Sequence, residues 1–151
     1  MPTGQPRNYW KKFKFVVEIG GVAFAGFQSM SELKSEVAQI EQWEGGALAA
    51  EKQPGRVTFP NLTLSRGATK DKDLWNWFKQ TANVSANSGV ILPEHERTFD
   101  LVQQDRDGSE LGRWRINRAW CCVFSAGEWD NTKDENVVES VELCYHHFDP
   151  A

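Results

Sequence analysis

Cysteine is scarce in this chain and odd in number: three in 151 residues. Cys121 and Cys122 are adjacent, and neighbours on a strand point to opposite faces. A disulfide framework is therefore not expected, and the count suits a reducing compartment. No C-x-x-C pair is present, so the spacing of a structural zinc site is missing. Basic residues are not in excess. Lys plus Arg is 17 against 21 for Asp plus Glu, a net charge of −4, which argues against a general nucleic-acid binder while leaving room for a local basic stripe. No apolar run approaches the roughly 20 residues of a membrane helix; Val22–Phe27 and Ala119–Phe124 are about strand length, and direct membrane insertion is not expected. Met1–Asn8 is polar, carries two prolines and lacks the apolar centre of a signal peptide. The expectation is a chain made in the cytoplasm without a signal peptide.

What is plentiful is aromatic surface: seven Trp and nine Phe. Such large apolar bodies need a well-filled core or a partner surface. With 40% hydrophobic and 25% charged residues the composition is that of a globular domain. The length fits one domain over residues 1–151, with 1–11 as a flexible N-terminal arm.

The dominant hydrophobic period is two. Phe13, Phe15, Val17 and Ile19 share one face of Lys12–Ile19, which predicts a half-buried strand. Gly20-Gly21 predicts a tight hairpin into Val22–Gln28. Glu32–Ile40 alternates again. Glu41–Gly55, with Gly45-Gly46, an alanine cluster, Pro54 and Gly55, reads as a long mobile loop, a kind of segment that is often functional. Arg56–Arg66 reads as a strand, and its apolar set shifts from odd to even positions across Pro60, which predicts an edge position or a bulge.

Then the period lengthens. Leu74, Trp75, Trp77 and Phe78 predict one helix over about Asp71–Ala82, capped by Thr69 or Asp71. Val84–Gly89 reads as loop. Arg97–Gln104 and Leu111–Phe124 are strands joined by a turn at Asp107-Gly108. Trp114 and Ile116 lie on one face of the second, with Arg113, Arg115 and Asn117 on the other. After a polar loop over Ser125–Asn136, Val137–Phe148 is the last strand, with Val141, Leu143 and Tyr145 on one face. The sum is mainly β: a sandwich or barrel of antiparallel sheets with one flanking α-helix.

Chemistry is thin. There is no phosphate-binding glycine loop and no nucleophile elbow. Cys144, His146 and His147 with Cys121 or Cys122 are the best metal candidates, and buried cysteines beside solvated histidines are the favoured reading of them. His95, between Glu94 and Glu96, has no placed nucleophile to serve. Glu139 and Glu142 point to opposite strand faces, which suits no paired-carboxylate mechanism. No catalytic residue and no cofactor is expected. A charged sheet face of Lys34, Arg113, Arg115 and Arg118 reads first as a solvated surface.

Five segments together resemble a known family. They are FKFVVEIGGVAFAGFQ at Phe13–Gln28, SELKSEVAQIEQWEGG at Ser31–Gly46, PGRVTFPNLTLSRG at Pro54–Gly67, DLWNWF at Asp73–Phe78, and RWRINRAW at Arg113–Trp120 paired with VVESVELCYHHF at Val137–Phe148. In this order they are similar to the inner-tube proteins of contractile phage tails and related injection systems. Cys121-Cys122 departs from the family, which often has proline soon after the Ala-Trp-like element.

The resemblance implies two packed antiparallel sheets with one flanking helix, and hexameric rings stacked into a tube around a channel. It implies contacts with a contractile sheath protein, with baseplate, spike and terminator proteins, and with a luminal cargo protein or DNA. The particle would be a phage tail or a contractile injection device. Strands with one charged face suit a wet channel wall, so Lys34, Glu36, Arg113 and Arg115 are expected to face the lumen. The Glu41–Gly55 segment, with Glu44, Gly45, Gly46, Ala47, Leu48, Pro54 and Gly55, is expected to order on the next subunit or ring. A small-molecule-binding β-barrel, with its pocket among the aromatics, is the alternative.

Overall fold

The computed structural model describes residues 9–19, 26–82, 91 and 93–151. The expected hairpin at Gly20-Gly21, most of Val22–Gln28 and the Val84–Gly89 loop lie outside the described residues.

Alternation is borne out where one face meets the core. Strand β1 is Phe15–Glu18, with Val17 buried and Ile19 buried just beyond it. The short β2 is Ser29–Met30. The Glu41–Gly55 expectation is corrected: β3, Glu36–Gln42, and β4, Glu51–Thr58, pair antiparallel as a hairpin, so Pro54 and Gly55 are strand residues. Only the segment between them, from Trp43 to Ala50, is loop. Gly46, with φ +84°, sits in its turn, where Ala47 N–H donates to the Glu44 carbonyl at 3.0 Å; that backbone conformation favours glycine. At position 55 space is tight: a Cβ would stand 3.1 Å from the Ala38 carbonyl oxygen.

Pro60 is corrected too. It lies in no strand: β4 ends at Thr58 and β5, Leu62–Gly67, begins after Asn61. The odd-to-even shift of the apolar set marks a change of sheet, not a bulge. Helix α1, Asp73–Thr81, starts at Lys72 without a side-chain cap, while Asp71 Oδ1 accepts from Asp73 N–H just before it. The expected caps therefore shape the approach to the helix and do not close its end. A 3₁₀ turn at Pro93–His95 leads into β6, Arg97–Gln104, and then β7, Glu110–Ser125. The last expected strand is broken into β8, Val138–Cys144, and β9, His147–Pro150.

That break mirrors a corner in β7. Arg118 has φ +54°, and the register slips between Ile116 and Ala119. The first part of β7 lies between β6 and β9, and its last part pairs with β8. Two four-stranded halves, β1-β6-β7-β9 and β7-β8-β5-β2, thus share one long strand. They close on a single core that includes Val17, Phe99, Ile116, Leu62, Leu143 and Trp77. Helix α1 packs on β7 and contributes the fully buried Leu74 and Trp77. At the N-terminus, the Trp10 ring covers Gly112 and the Lys11 carbonyl accepts from Gln103 Nε2 at 2.8 Å.

Candidate functional site

Three surfaces stand out, and the first is the β3–β4 hairpin. Among the described residues its strands pair only with each other, and every residue in them except Gly55 is exposed. Val37, Ile40, Trp43 and Val57 are each at least half exposed, and Leu48 is fully so. A two-stranded hairpin with no layer behind it is marginal in water. Glu44, Gly45, Gly46, Ala47 and Leu48 form its tip, and Pro54 and Gly55 lie on its return strand. Proline is tolerated there because β4 has a partner on one side only.

The second surface is the open border of the sheet. Among the described residues β1, β2 and β9 each pair on one side only. A groove of about 580 Å³ near β1 and β2 is lined by Phe15, Met30, Leu33 and Leu101 along with polar residues. Unpaired strand borders are templates for pairing with another chain.

The third is a charged face across β1, β6, β7 and β9. Register places Glu18 opposite Asp100, Asp100 opposite Arg115, and Arg115 opposite Asp149. Arg115 Nε donates to Asp100 Oδ1 at 2.9 Å; Arg113 Nη1 reaches Glu18 Oε2 at 3.3 Å as well as Asp100, and Arg113 Nε donates to Glu110 Oε1 at 2.7 Å. The hydrogen bonds to Glu110 and then Asp100 push the Arg113 guanidinium further toward its charged form. The expected charged face of Lys34, Arg113, Arg115 and Arg118 leaves out the acids that answer Arg113 and Arg115. The available signal was that Glu18 and Asp100 sit out of phase with the buried Val17 and Phe99. Lys34 and Glu36 pair with each other at 3.0 Å at the base of the hairpin, both exposed. The four expected channel residues therefore form two separate ion-paired groups.

The Arg115 hydrogen bond, then that of Arg113, holds the Asp100 carboxyl below its ordinary value of 3.8 against the opposing effect of burial. The folded chain then binds this proton less readily than the unfolded one. The resulting stabilisation is present above 3.8 and is lost as pH falls through the depressed value. Asp100→Asn is expected to flatten the acid limb of the stability curve below about pH 4. Urea melts with the same acid limb in both chains would contradict the assignment.

The metal candidates do not assemble. Among the described residues no three metal-ligating side chains gather. Cys121 is buried in the core, His147 lies against Asn117 and Asp149, and His146 lies 3.8 Å from Glu96. The His95 carbonyl accepts from the Trp77 indole. Among the described residues no helix is long and apolar enough to cross a membrane.

The geometry defines a class first: a mainly β structural subunit of two packed sheets and one flanking helix, with open strand borders and a projecting hairpin. The family follows, since the T4-like virus tail tube protein gp19 family matches residues 11–149, and the chain belongs to it. Among curated proteins none matches the sequence. In three dimensions the chain is similar to the anti-feeding prophage cap, the AFP tube terminating cap, with a TM-score of 0.80 and 20% identity over 99% of this chain and 95% of that one. It is similar to a chain of the PVC sheath-tube complex of an extracellular contractile injection system, with a TM-score of 0.78 and 18% identity over 95% and 91%. Hcp1 from Flavobacterium johnsoniae shares the fold at a TM-score of 0.56 and 11% identity, over 92% of this chain and 95% of that one.

Proposed function

We propose that this chain is a subunit of the inner tube of a contractile injection system or phage tail, and that its work is mechanical. Membership of the tail tube family supports the reading, and the single observation that carries it within the molecule is the β3–β4 hairpin. That hairpin exposes Val37, Ile40, Trp43, Leu48 and Val57 with no layer of the described residues behind it. Docking on a neighbouring copy would bury this apolar surface at about 25 cal/mol per Å². Hexameric rings would close the strand borders that one copy leaves open, because a closed barrel has no edge. The Glu18–Asp100–Arg115–Asp149 face, with Arg113, would line the channel and meet a luminal cargo protein or DNA. Lys34 and Glu36 would stand beside the hairpin at the same wall. A contractile sheath would cover the outside, with baseplate, spike and terminator proteins at the ends.

Negative-stain microscopy of the purified protein, alone and with its sheath partner, tests the reading. Rings or tubes are expected, and a monodisperse monomer at high concentration in both samples would end it. The hairpin gives the sharper prediction. Deleting Ala47–Glu51 removes part of the tip and one residue of β4, none of them in the core. The variant should melt like the parent chain yet form no extended tubes. Tubes of ordinary length from it would refute the docking role.

A further inference from the structure

The two ends of β7 carry opposite charge, and none of the three surfaces uses these ends. At its start a groove of about 200 Å³ lies between the N-terminal arm and the β6–β7 turn, lined by Tyr9, Lys11, Lys14, Asp105, Arg106 and Leu111. That is smaller than the roughly 300–1,000 Å³ of a small-molecule pocket and suits a single side chain. Both walls are fixed. Gln103 Nε2 donates to the Lys11 and Lys14 carbonyls at 2.8 and 2.7 Å, and Asp105 N–H donates to the Ser109 carbonyl at 2.8 Å. The acids of the turn are engaged within it: Asp105 Oδ1 accepts from Arg106 N–H, and Asp107 Oδ1 from the Ser109 N–H and hydroxyl. Beyond the other end of β7, the loop into β8 holds Glu128, Asp130, Asp134 and Glu135 against one cation, Lys133, and all four acids are exposed. Glu128 and Asp130 flank Trp129, which is 70% exposed. This loop too has a set shape. Gly127 takes φ +113°, and Asp130 Oδ1 accepts from the Thr132 N–H at 2.9 Å and hydroxyl at 2.7 Å. Among the described residues neither the groove's Lys11, Lys14 and Arg106 nor the loop's four acids enter an ion pair.

We propose that this loop of one copy docks in the groove of a second copy, with Trp129 seated against Tyr9 and Leu111 and its acidic neighbours facing Lys11, Lys14 and Arg106. Charge selects the occupant: a net negative loop and a net positive groove are each unanswered within their own chain and answer one another between chains. The exposed Trp between two acids supplies the apolar anchor, the kind of side chain that carries much of the energy of an interface. Both partners are already shaped, so little order is lost on docking. One chain does not seat its own loop, because β7 runs 16 residues between the two sites, tens of ångströms at about 3.3 Å per residue. The contact is therefore heterologous, the kind that repeats from copy to copy. Resting on the tube reading, it joins ring to ring: ring closure uses the borders of strands, whereas groove and loop both lie at strand ends.

Reversing the charge of each half tests the contact on the full chain. One variant carries Lys11→Glu and Arg106→Glu, the other Glu128→Lys and Glu135→Lys, and all four side chains are exposed. Sedimentation and negative-stain microscopy measure the protein concentration at which tubes form. Each variant alone should melt like the parent chain and still form rings. Its threshold for tubes should rise at least about tenfold, because like charges then meet at every contact. Trp129→Ala should raise the threshold by a similar factor. Rings of the two charge variants, mixed in equal amounts, should stack again, since each groove then meets a loop of opposite sign. Either variant forming tubes at the parent's threshold, or a mixture that stays as separate rings, would overturn the proposal and leave the tube reading standing. Loss of the rings themselves in a variant that still folds would place the contact within the ring and overturn the ring-to-ring assignment. A parent chain that never leaves the monomer would take down both readings.

Discussion

Replacing Glu139 with alanine is expected to cost about 3–5 kcal/mol of folding stability. Register sets Arg66 of β5 directly opposite Glu139 of β8. Arg66 Nε donates to Glu139 Oε1 at 2.6 Å, with the two side chains only 3% and 6% exposed. The guanidinium also lies 5.8 Å from the Phe27 ring centroid, while its Nη1 and Nη2 have no hydrogen-bond partner among the described residues. Without the carboxylate a cation would stay buried with nothing to answer its charge, and that outweighs the loss of one ordinary hydrogen bond. The double variant Arg66→Met, Glu139→Leu is expected to fall within about 1–2 kcal/mol of the parent chain or above it, since apolar pairs often replace buried ion pairs without loss. Urea unfolding of the four chains of the cycle, at concentrations too low for self-association, measures both. A Glu139→Ala chain within about 1 kcal/mol of the parent would show that water reaches the pair. The pair also marks register: a slip of one residue would turn Arg66 out of the core and carry Leu62 and Leu64 with it.

That pair shows what the sequence makes legible and what it hides. Leu62 and Leu64 share a face, as do Val141, Leu143 and Tyr145, and all five are buried. Arg66 continues the first set in phase and Glu139 the second, so two opposite charges on two core faces were readable as a pair. Within Glu41–Gly55 the same rule fails for a physical reason. Alternation is written by burial on one side, and among the described residues neither face of β3–β4 is buried, so from Glu41 to Gly55 no period records the strands. Gly45-Gly46, Pro54 and Gly55 then read as loop, although two of them are strand residues. The break at Tyr145–His146 was equally hidden. It answers the corner at Arg118 on another strand, where the His146 N–H donates to the Asn117 carbonyl at 3.0 Å. The charged face was half legible. Alternation set Arg113 and Arg115 on the side away from Trp114 and Ile116; of their acidic partners Glu110 is local to β7, but Glu18 and Asp100 come from β1 and β6, at a register no local pattern carries.

Trp77→Ala should be nearly as damaging, at about 3–5 kcal/mol, while Trp75→Ala should stay within about 1 kcal/mol. The helical stripe predicts that at least one of these residues enters the core, and the structure separates them. Trp77 is fully buried, its Nε1–H donates to the His95 carbonyl at 2.8 Å, and the Arg97 guanidinium lies 5.2 Å from its ring centroid. Trp75 is 38% exposed and leans on Phe78 and Phe124, with ring centroids 5.7 and 5.4 Å away. Truncating Trp77 removes the largest fully buried side chain among the described residues, leaves a cavity where helix meets sheet and removes the indole hydrogen bond to the His95 carbonyl. Truncating Trp75 removes surface that water already reaches. Trp77→Phe divides the loss: the ring still fills most of the cavity, so its cost reports mainly the indole hydrogen bond, about 0.5–1.5 kcal/mol. Thermal and urea melts of the three variants rank these terms. An unchanged melting point for Trp77→Ala would mean that α1 does not dock through this face, and the large loss falling on Trp75 instead would mean that the helix is turned about its axis.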